Sequence, residues 1–142
     1  MKDLEKKEIK AISEKNIIDD PLRILRIFRF SAALGFEIEQ NTKDLTKKYS
    51  DLIKNCSQER INYELLKLFN GNNASNVIAQ MDKIGLVDIL FPIMADVKKI
   101  PPNSHHHLPL IGHLIETVKQ LEILYNDAPK EIKEHFNFIQ LL

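Results

Sequence analysis

An all-α fold is what this sequence predicts, and three observations carry the prediction. Apolar residues recur at helical spacing along nearly all of the 142 residues. Only 4 Gly and 6 Pro occur, too few for a loop-rich or all-β design. The breaks that do occur (Asp20-Pro21, Gly35, Asn70-Gly71-Asn72-Asn73, Gly85, Pro101-Pro102) leave helix-length stretches between them. With 44% hydrophobic and 28% charged residues, the composition is that of an ordinary globular chain rather than a disordered one. The length allows one core, or a small helical domain and part of a second.

Residues 1–19 read as a charged lead-in with Ile9, Ile12, Ile17 and Ile18 as its apolar points. Asp20-Pro21 then opens a helix, an acid at the N-cap followed by proline at the first helical position. That helix runs to Leu34 and stops at Gly35, a residue suited to the left-handed C-terminal turn. Phe36-Glu37-Ile38-Glu39 alternates and predicts an extended connection. Asn41 or Thr42 caps a second helix reaching about Lys54, with lysines on its outer face. Ser57 caps a third through Phe69, with Glu59 in the first turn where the helix dipole favours an acid. A fourth covers 74–84 and stops at Gly85, and a short one spans 86–91 before Pro92. The paired prolines cannot continue a helix, so 100–106 is the predicted linker. Two further helices are predicted over 107–125 and 129–142. The last ends on Phe136-Asn137-Phe138-Ile139-Gln140-Leu141-Leu142 without cap or stop, the pattern of a chain cut in mid-domain.

Charge and cysteine content narrow the class. Lys+Arg and Asp+Glu both total 20, so no global field announces a polyanionic partner. The arginines are unevenly placed: Arg23, Arg26, Arg29 and Arg60 all lie in the first half. Arginine is the residue suited to planar, bidentate recognition of bases and phosphates. Cys56 is alone, which excludes an intramolecular disulfide and fits a reducing compartment. No apolar run approaches the roughly 18–20 residues that span a bilayer, and the charged N-terminus lacks a signal sequence. A cytoplasmic protein without membrane partners is expected.

The helix over 20–34 combines two features that conflict. Ile24, Leu25, Ile27, Phe28, Phe30, Ala32 and Leu34 cover most of its circumference, which predicts burial. Arg23, Arg26 and Arg29 nevertheless recur every third residue on one side. Arginines beside a buried helix require partners. Either they pair with acids such as Asp19, Asp20, Glu59 or Glu64, or they line a polar cleft that receives a ligand. Asp19 is placed as an i, i+4 partner of Arg23.

The run Asp19-Asp20-Pro21-Leu22-Arg23-Ile24-Leu25-Arg26-Ile27-Phe28-Arg29-Phe30, closing on Leu34-Gly35-Phe36, resembles the tRNA CCA-adding enzymes and bacterial poly(A) polymerases. That family carries an acid-Asp-x-x-Arg motif followed by Leu-Arg-x-x-Arg-Phe and Leu-Gly-Phe. A second match follows in Glu59-Arg60-Ile61-Asn62-Tyr63-Glu64-Leu65, similar to the family's Glu-Arg-x-x-x-Glu neck motif. The resemblance covers roughly residues 2–95. It implies a protein template for choosing nucleotides, in which Asp20 and Arg23 hydrogen-bond the Watson–Crick edge of the incoming base. A carboxylate accepts from the exocyclic amino group that cytosine and adenine share, and a guanidinium donates to acceptors on the same edge. Uracil and guanine present a carbonyl there instead, and such a site rejects them through unpaired polar groups. Asp19 stands where the family has glutamate, with the same charge and a shorter reach. Arg26, Arg29, Glu59, Arg60 and Glu64 are expected to support the site, with Arg60 and Glu64 as an i, i+4 pair bracing the first helix.

The catalytic half is not in these residues. Nucleotidyl transfer needs carboxylates that hold Mg²⁺ on the triphosphate. The family places them in an Asp-x-Asp beside a Gly-Gly turn, and neither occurs here. No catalytic residue and no cofactor is therefore expected of the chain, with Mg²⁺ belonging to the head of a parent enzyme. His105-His106-His107 reads as a solvated run near the linker and His135 as a surface residue. The spacing of His107 to Thr117 is similar to the opening helix of an HD phosphohydrolase domain. His113 would be its first metal ligand, but only if the rest of that domain follows. The implied organisation is the end of a head domain over 1–19, a helical nucleotide-reading and neck domain over 20–99, a linker over 100–106 and an HD-like segment over 107–142.

The resemblance thus implies part of a template-independent RNA nucleotidyltransferase, inactive alone, that selects CTP and ATP for addition to a tRNA or other RNA 3′ end. Lys43, Lys47, Lys48 and Lys54 could touch backbone phosphates, though a solvated helix face is the commoner reason for such a pattern. The alternatives are a helical RNA-binding or protein-interaction module without nucleotide selection, and an adaptor for an HD phosphohydrolase.

Overall fold

The arginine-bearing helix is the axis about which the other elements are arranged. A computed structural model of the chain describes residues 5–101 and 109–136. The elements run β1 (Glu8–Ile9), α1 (Glu14–Asp19), α2 (Arg23–Leu34), β2 (Glu37–Ile38), α3 (Gln40–Lys48), a 3-10 helix (Ser50–Asn55), α4 (Gln58–Phe69), α5 (Ala74–Lys83), α6 (Leu86–Leu90), α7 (Ile93–Val97), α8 (Leu110–Asp127) and α9 (Lys130–Phe136). The fold is all-α. Among the described residues the only strands are β1 and β2, which pair in parallel with Glu8 opposite Glu37 and Ile9 opposite Ile38. No helix among them is long and apolar enough to cross a membrane.

α2 buries Ile24, Leu25, Ile27, Phe28, Ser31 and Ala32. Its neighbours in the core are Ile17 of α1, Leu22, Ile53 of the 3-10 helix, Leu65 and Leu68 of α4, Val77 and Met81 of α5, and Leu86 and Val87 of α6. Full burial of a side chain such as Phe28 or Leu68 stabilises by about 1.5–3 kcal/mol. The expectation that α2 is buried nearly all round is corrected: Phe30 is 45% and Leu34 53% exposed. The core closes over one side, and the opposite side is free to carry charge.

Boundaries differ from the sequence reading at three places, each for a local reason. The helix begins at Arg23 rather than at Asp20, and Leu22 stands at its N-cap without a side-chain bond. Asp20 instead ends α1, and its carbonyl accepts from the Arg23 N–H at 3.0 Å. Its carboxylate is thereby released from capping and turns toward arginines. The lead-in is ordered into α1 by Ser13, whose hydroxyl accepts from the Asn16 N–H. The predicted second helix is two elements, α3 and the 3-10 helix, which divide at Tyr49, and Thr42 lies inside α3 rather than capping it. Thr42 is buried, accepts from the Ala11 N–H at 2.9 Å and donates to Glu39, so it ties the lead-in to α3. Gly35 and Gly85 do take the left-handed conformation, at φ 66° and 79°, where the sequence places its stops.

The stretch 36–39 is extended, as predicted, and β1 is the partner the sequence did not reveal. At the other end, α8 packs on α5, with Ile111 and Val118 against the core. The Glu122 carboxylate of α8 accepts from both the Ser75 N–H and the Ser75 hydroxyl in the first turn of α5. Most of the predicted linker, His105 to His107 and the apolar run 137–142 lie outside the described residues.

Candidate functional site

Two acids and all four arginines of the chain form one cluster where α2 and α4 meet. Asp20 sits at its edge, 26% exposed, between three guanidinium groups. Arg60 Nη2 donates to Asp20 Oδ1 at 3.1 Å. Arg26 Nη1 and Arg23 Nε approach Asp20 Oδ2 at 3.8 and 3.9 Å, distances of charge contact rather than hydrogen bonding. Glu64 lies deeper, its side chain 3% exposed. It accepts from Arg26 Nε at 3.0 Å on one oxygen and faces Arg29 Nε at 3.1 Å on the other. The Arg29 contact lacks hydrogen-bond alignment and is an ion pair only. A carboxylate this deeply buried needs such partners, since an unpaired one would be strongly destabilising.

A cleft of about 420 Å³ opens beside this cluster. It is lined by Arg23, Arg26 and Arg29 of α2, by Tyr63, Glu64 and Lys67 of α4, and by lead-in residues that include Lys10, Ser13 and Asn16. Two aromatic rings in it carry cations: Arg29 stands 4.4 Å from the Phe30 centroid and Lys67 4.3 Å from that of Tyr63. Lys10 bridges Glu8 and Glu39 at 3.2 and 3.3 Å, and those two carboxylates hold its ammonium above the ordinary value. The lining carries five cations (Lys10, Arg23, Arg26, Arg29 and Lys67) against one acid, Glu64, among apolar and aromatic side chains, so the cleft is electropositive.

The residues singled out from sequence are brought together unevenly. Asp20, Arg23, Arg26, Arg29, Arg60 and Glu64 join one network. Glu59 is exposed in the first turn of α4 and pairs with no arginine among the described residues. The expected Arg60–Glu64 pair is corrected: the two residues point to different partners across the α2–α4 contact, Arg60 to Asp20 and Glu64 to Arg26 and Arg29. Asp19 is exposed, and Arg23 pairs with Asp20 in its place, because α1 ends between the two aspartates and no continuous helix sets the i, i+4 register. Lys48 and Lys54 are taken up by Glu14 at 2.7 Å and Asp51 at 2.5 Å.

Tyr63, Lys67 and Lys10 were not anticipated as lining residues. Tyr63 and Lys67 were legible, being three and seven residues beyond Arg60 on the same helix face. Lys10 was not, since it arrives through the β1–β2 pairing. Cys56 is half-buried, and burial pushes its thiol up, which makes it a poor nucleophile. His113 lies in the first turn of α8, where its carbonyl accepts from the Thr117 hydroxyl at 2.9 Å. No group of three or more His, Cys, Asp or Glu among the described residues is placed to hold a metal ion.

A helical module with a carboxylate–arginine cluster beside an electropositive cleft is the kind of structure that receives nucleotides or RNA. Residues 35–98 match the family model described as the probable RNA- and SrmB-binding site of polymerase A. The chain belongs to the tRNA nucleotidyltransferase family and carries its neck region. It is 40% identical over 130 residues to the CCA-adding enzyme of Oceanobacillus iheyensis, covering 82% of this chain and 32% of that protein. It is 28% identical over 131 residues to the A-adding tRNA nucleotidyltransferase of Deinococcus radiodurans, covering 89% and 30%. The Thermotoga maritima CCA-adding enzyme complexed with tRNA superposes with a TM-score of 0.60 at 30% identity, over 64% of this chain and 23% of that one. The chain thus spans no more than about a third of the curated relatives it matches.

Proposed function

We propose that this chain is the nucleotide-selecting and RNA-facing part of a template-independent RNA nucleotidyltransferase, adding C or A to a tRNA 3′ end. The observation that carries the reading is the Asp20–Arg23 edge. A carboxylate acceptor and a guanidinium donor stand side by side at the start of a core-anchored helix. Among the described residues Arg23 has no partner but Asp20, so its remaining donors are free for a base. Arg60, Arg26, Arg29 and Glu64 support that edge, Glu59 and Asp19 flank it, and the cleft beside it has the sign and the exposed aromatic rings, Phe30 and Tyr63, that suit a nucleotide. Residues 20–99 form the nucleotide-reading and neck domain in this reading, and 107–142 begin an HD-like one.

The nucleotidyl transfer step itself is placed in a preceding head. It needs carboxylates on a divalent metal, expected to be Mg²⁺. The described residues do not fit that ion: no trio of ligands converges, and Asp20 and Glu64 are already held by guanidinium groups. Reading the coding sequence upstream of Met1 tests this placement. A Gly-Gly turn followed by Asp-x-Asp is expected there, and an isolated start codon with no such partner encoded nearby would remove the enzyme reading. In the head-containing protein, Arg23→Ala is expected to lower kcat/KM for CTP and ATP by roughly 100-fold while UTP and GTP change little.

A second reading is favoured by one observation. The family match begins at residue 35 and so excludes Asp20 and Arg23. A helical RNA- or protein-binding module would use the 35–98 surface alone. It predicts RNA binding that Arg23→Ala leaves unchanged, with no preference among nucleotides.

A further inference from the structure

We propose that Tyr63 and Lys67 seat the RNA 3′ end, the terminal base stacking on the Tyr63 ring and its phosphate meeting Lys67. This rests on the base-reading role of Asp20 and Arg23 given above and adds the second substrate to the same cleft. Tyr63 lines that cleft and is 55% exposed. It takes no part in the core, and its hydroxyl has no hydrogen bond among the described residues. Its one neighbour of note is Lys67, 4.3 Å from the ring centroid. That contact is modest at an exposed site, and it does not enclose the ring. An accessible aromatic ring with a cation beside it is the arrangement on which single-stranded nucleic acids stack, because every base has a π-face and every nucleotide a phosphate.

Charge favours RNA over a protein surface as the occupant. Of the cations on the lining, Lys10 faces Glu8 and Glu39, Arg23 faces Asp20, and Arg26 and Arg29 share Glu64. Lys67 has no carboxylate partner among the described residues. A protein laid over it would have to bring an acid of its own to avoid burying an unpaired ammonium, whereas RNA brings a phosphate with each nucleotide. Spacing then selects the nucleotide. Arg60 donates directly to Asp20, so its turn of α4 is level with the base-reading edge. Tyr63 stands three residues further on, about 4.5 Å along the helix axis. That step is close to the rise of about 3.4 Å between stacked nucleotides. The base on Tyr63 is therefore the neighbour of the one read by Asp20 and Arg23, which for a growing chain is the RNA 3′ terminus.

Two measurements test the seat. The chain has three tyrosines and no tryptophan, so its emission reports on the rings directly. Titrating the chain as it stands with single-stranded oligocytidylate is expected to quench that emission. Tyr63→Phe should bind as tightly but lose most of the quenching, and Tyr63→Ala should bind roughly tenfold more weakly. Lys67→Ala should flatten the slope of log affinity against log salt by about 0.7, the value of one phosphate contact on a single strand. Binding that Tyr63→Ala leaves unchanged, or no binding at all, overturns the proposal. The second measurement is made in the head-containing protein. There Tyr63→Ala is expected to raise KM for the RNA roughly tenfold while the preference for CTP and ATP over UTP and GTP stays as it was. A lower Tm with KM for the RNA unmoved would mark the ring as a contact between domains and overturn the seat. If Arg23→Ala leaves nucleotide choice intact, base reading fails, and the oligocytidylate titration still decides Tyr63 and Lys67 on its own.

Discussion

Glu64 is the residue on which the cluster depends most, because it is an acid in the core held by one hydrogen bond from Arg26 and an ion pair with Arg29. Glu64→Ala leaves the largely buried Arg29 without its acid and takes the hydrogen bond from Arg26, and is expected to cost about 3 kcal/mol, measured as a lower urea midpoint at unchanged slope. The exposed Glu14–Lys48 contact behaves differently. The Lys48 ammonium, and after it the Tyr49 hydroxyl, holds the Glu14 carboxyl below its ordinary 4.5, and Glu14 in turn pushes Lys48 up to about 12. The carboxylate contribution is present above that ordinary value and fades as pH falls through the lower folded value. The ammonium contribution is present below 10.5 and is lost as pH rises toward about 12. Glu14→Gln is therefore expected to lower Tm slightly near neutrality, with the gap to the parent closing in acid and in high salt. A gap that persists in acid would mean that packing, not charge, joins α1 to α3.

Among the elements, α2 owes its position to a close approach. A Cβ on Gly71 would lie 2.7 Å from the Ala32 carbonyl carbon and 2.9 Å from its Cβ. The turn after α4 thus runs against the backbone of α2, with no flexible atom to yield. Gly71→Ala is expected to destabilise by about 2 kcal/mol through overpacking, read from chemical denaturation. Gly85→Ala meets no atom within 4 Å and carries only the cost of its φ of 79°, about 1 kcal/mol. If the order of the two were reversed, the close approach of Gly71 to Ala32 would not hold. Gly85 was legible in the sequence as a helix stop, whereas Gly71 read only as part of a polar turn, since a contact with Ala32 has no local signature.

Across the molecule, α8 is joined to the rest of the fold chiefly through α5. Its Glu122 takes one orphan backbone N–H at the start of α5 and the hydroxyl of the same Ser75, the work of an N-cap supplied from 47 residues away. Glu122→Ala is expected to cost about 1 kcal/mol, and amide hydrogen exchange should speed up in α8 and the first turn of α5 together. Acceleration confined to α5 would show that α8 is held by its apolar face alone. Lys98 makes a comparable tie between α5 and α6, bridging Asp82 and Asp88 at 2.5 and 2.7 Å. The family match covers residues 35–98, and the chain spans no more than about a third of the relatives it matches.

The amino-acid order by itself determined the helical class, the glycine stops at 35 and 85, and the two motifs that contain Asp20, Arg23, Arg60 and Glu64. These are local properties: periodicity, the φ that glycine tolerates, and side chains at fixed helical spacing. Only the tertiary structure decided who pairs with whom. Arg60 and Glu64 stand one turn apart, so sequence spacing joined them, yet Arg60 found Asp20 at the end of α1 and Glu64 found Arg26 and Arg29 on α2 when the helices packed. Charge pairing over 40 residues depends on which faces the core brings together. In the same way Asp20 looked like a helix cap until α1 formed before it, freeing its carboxylate for the arginines.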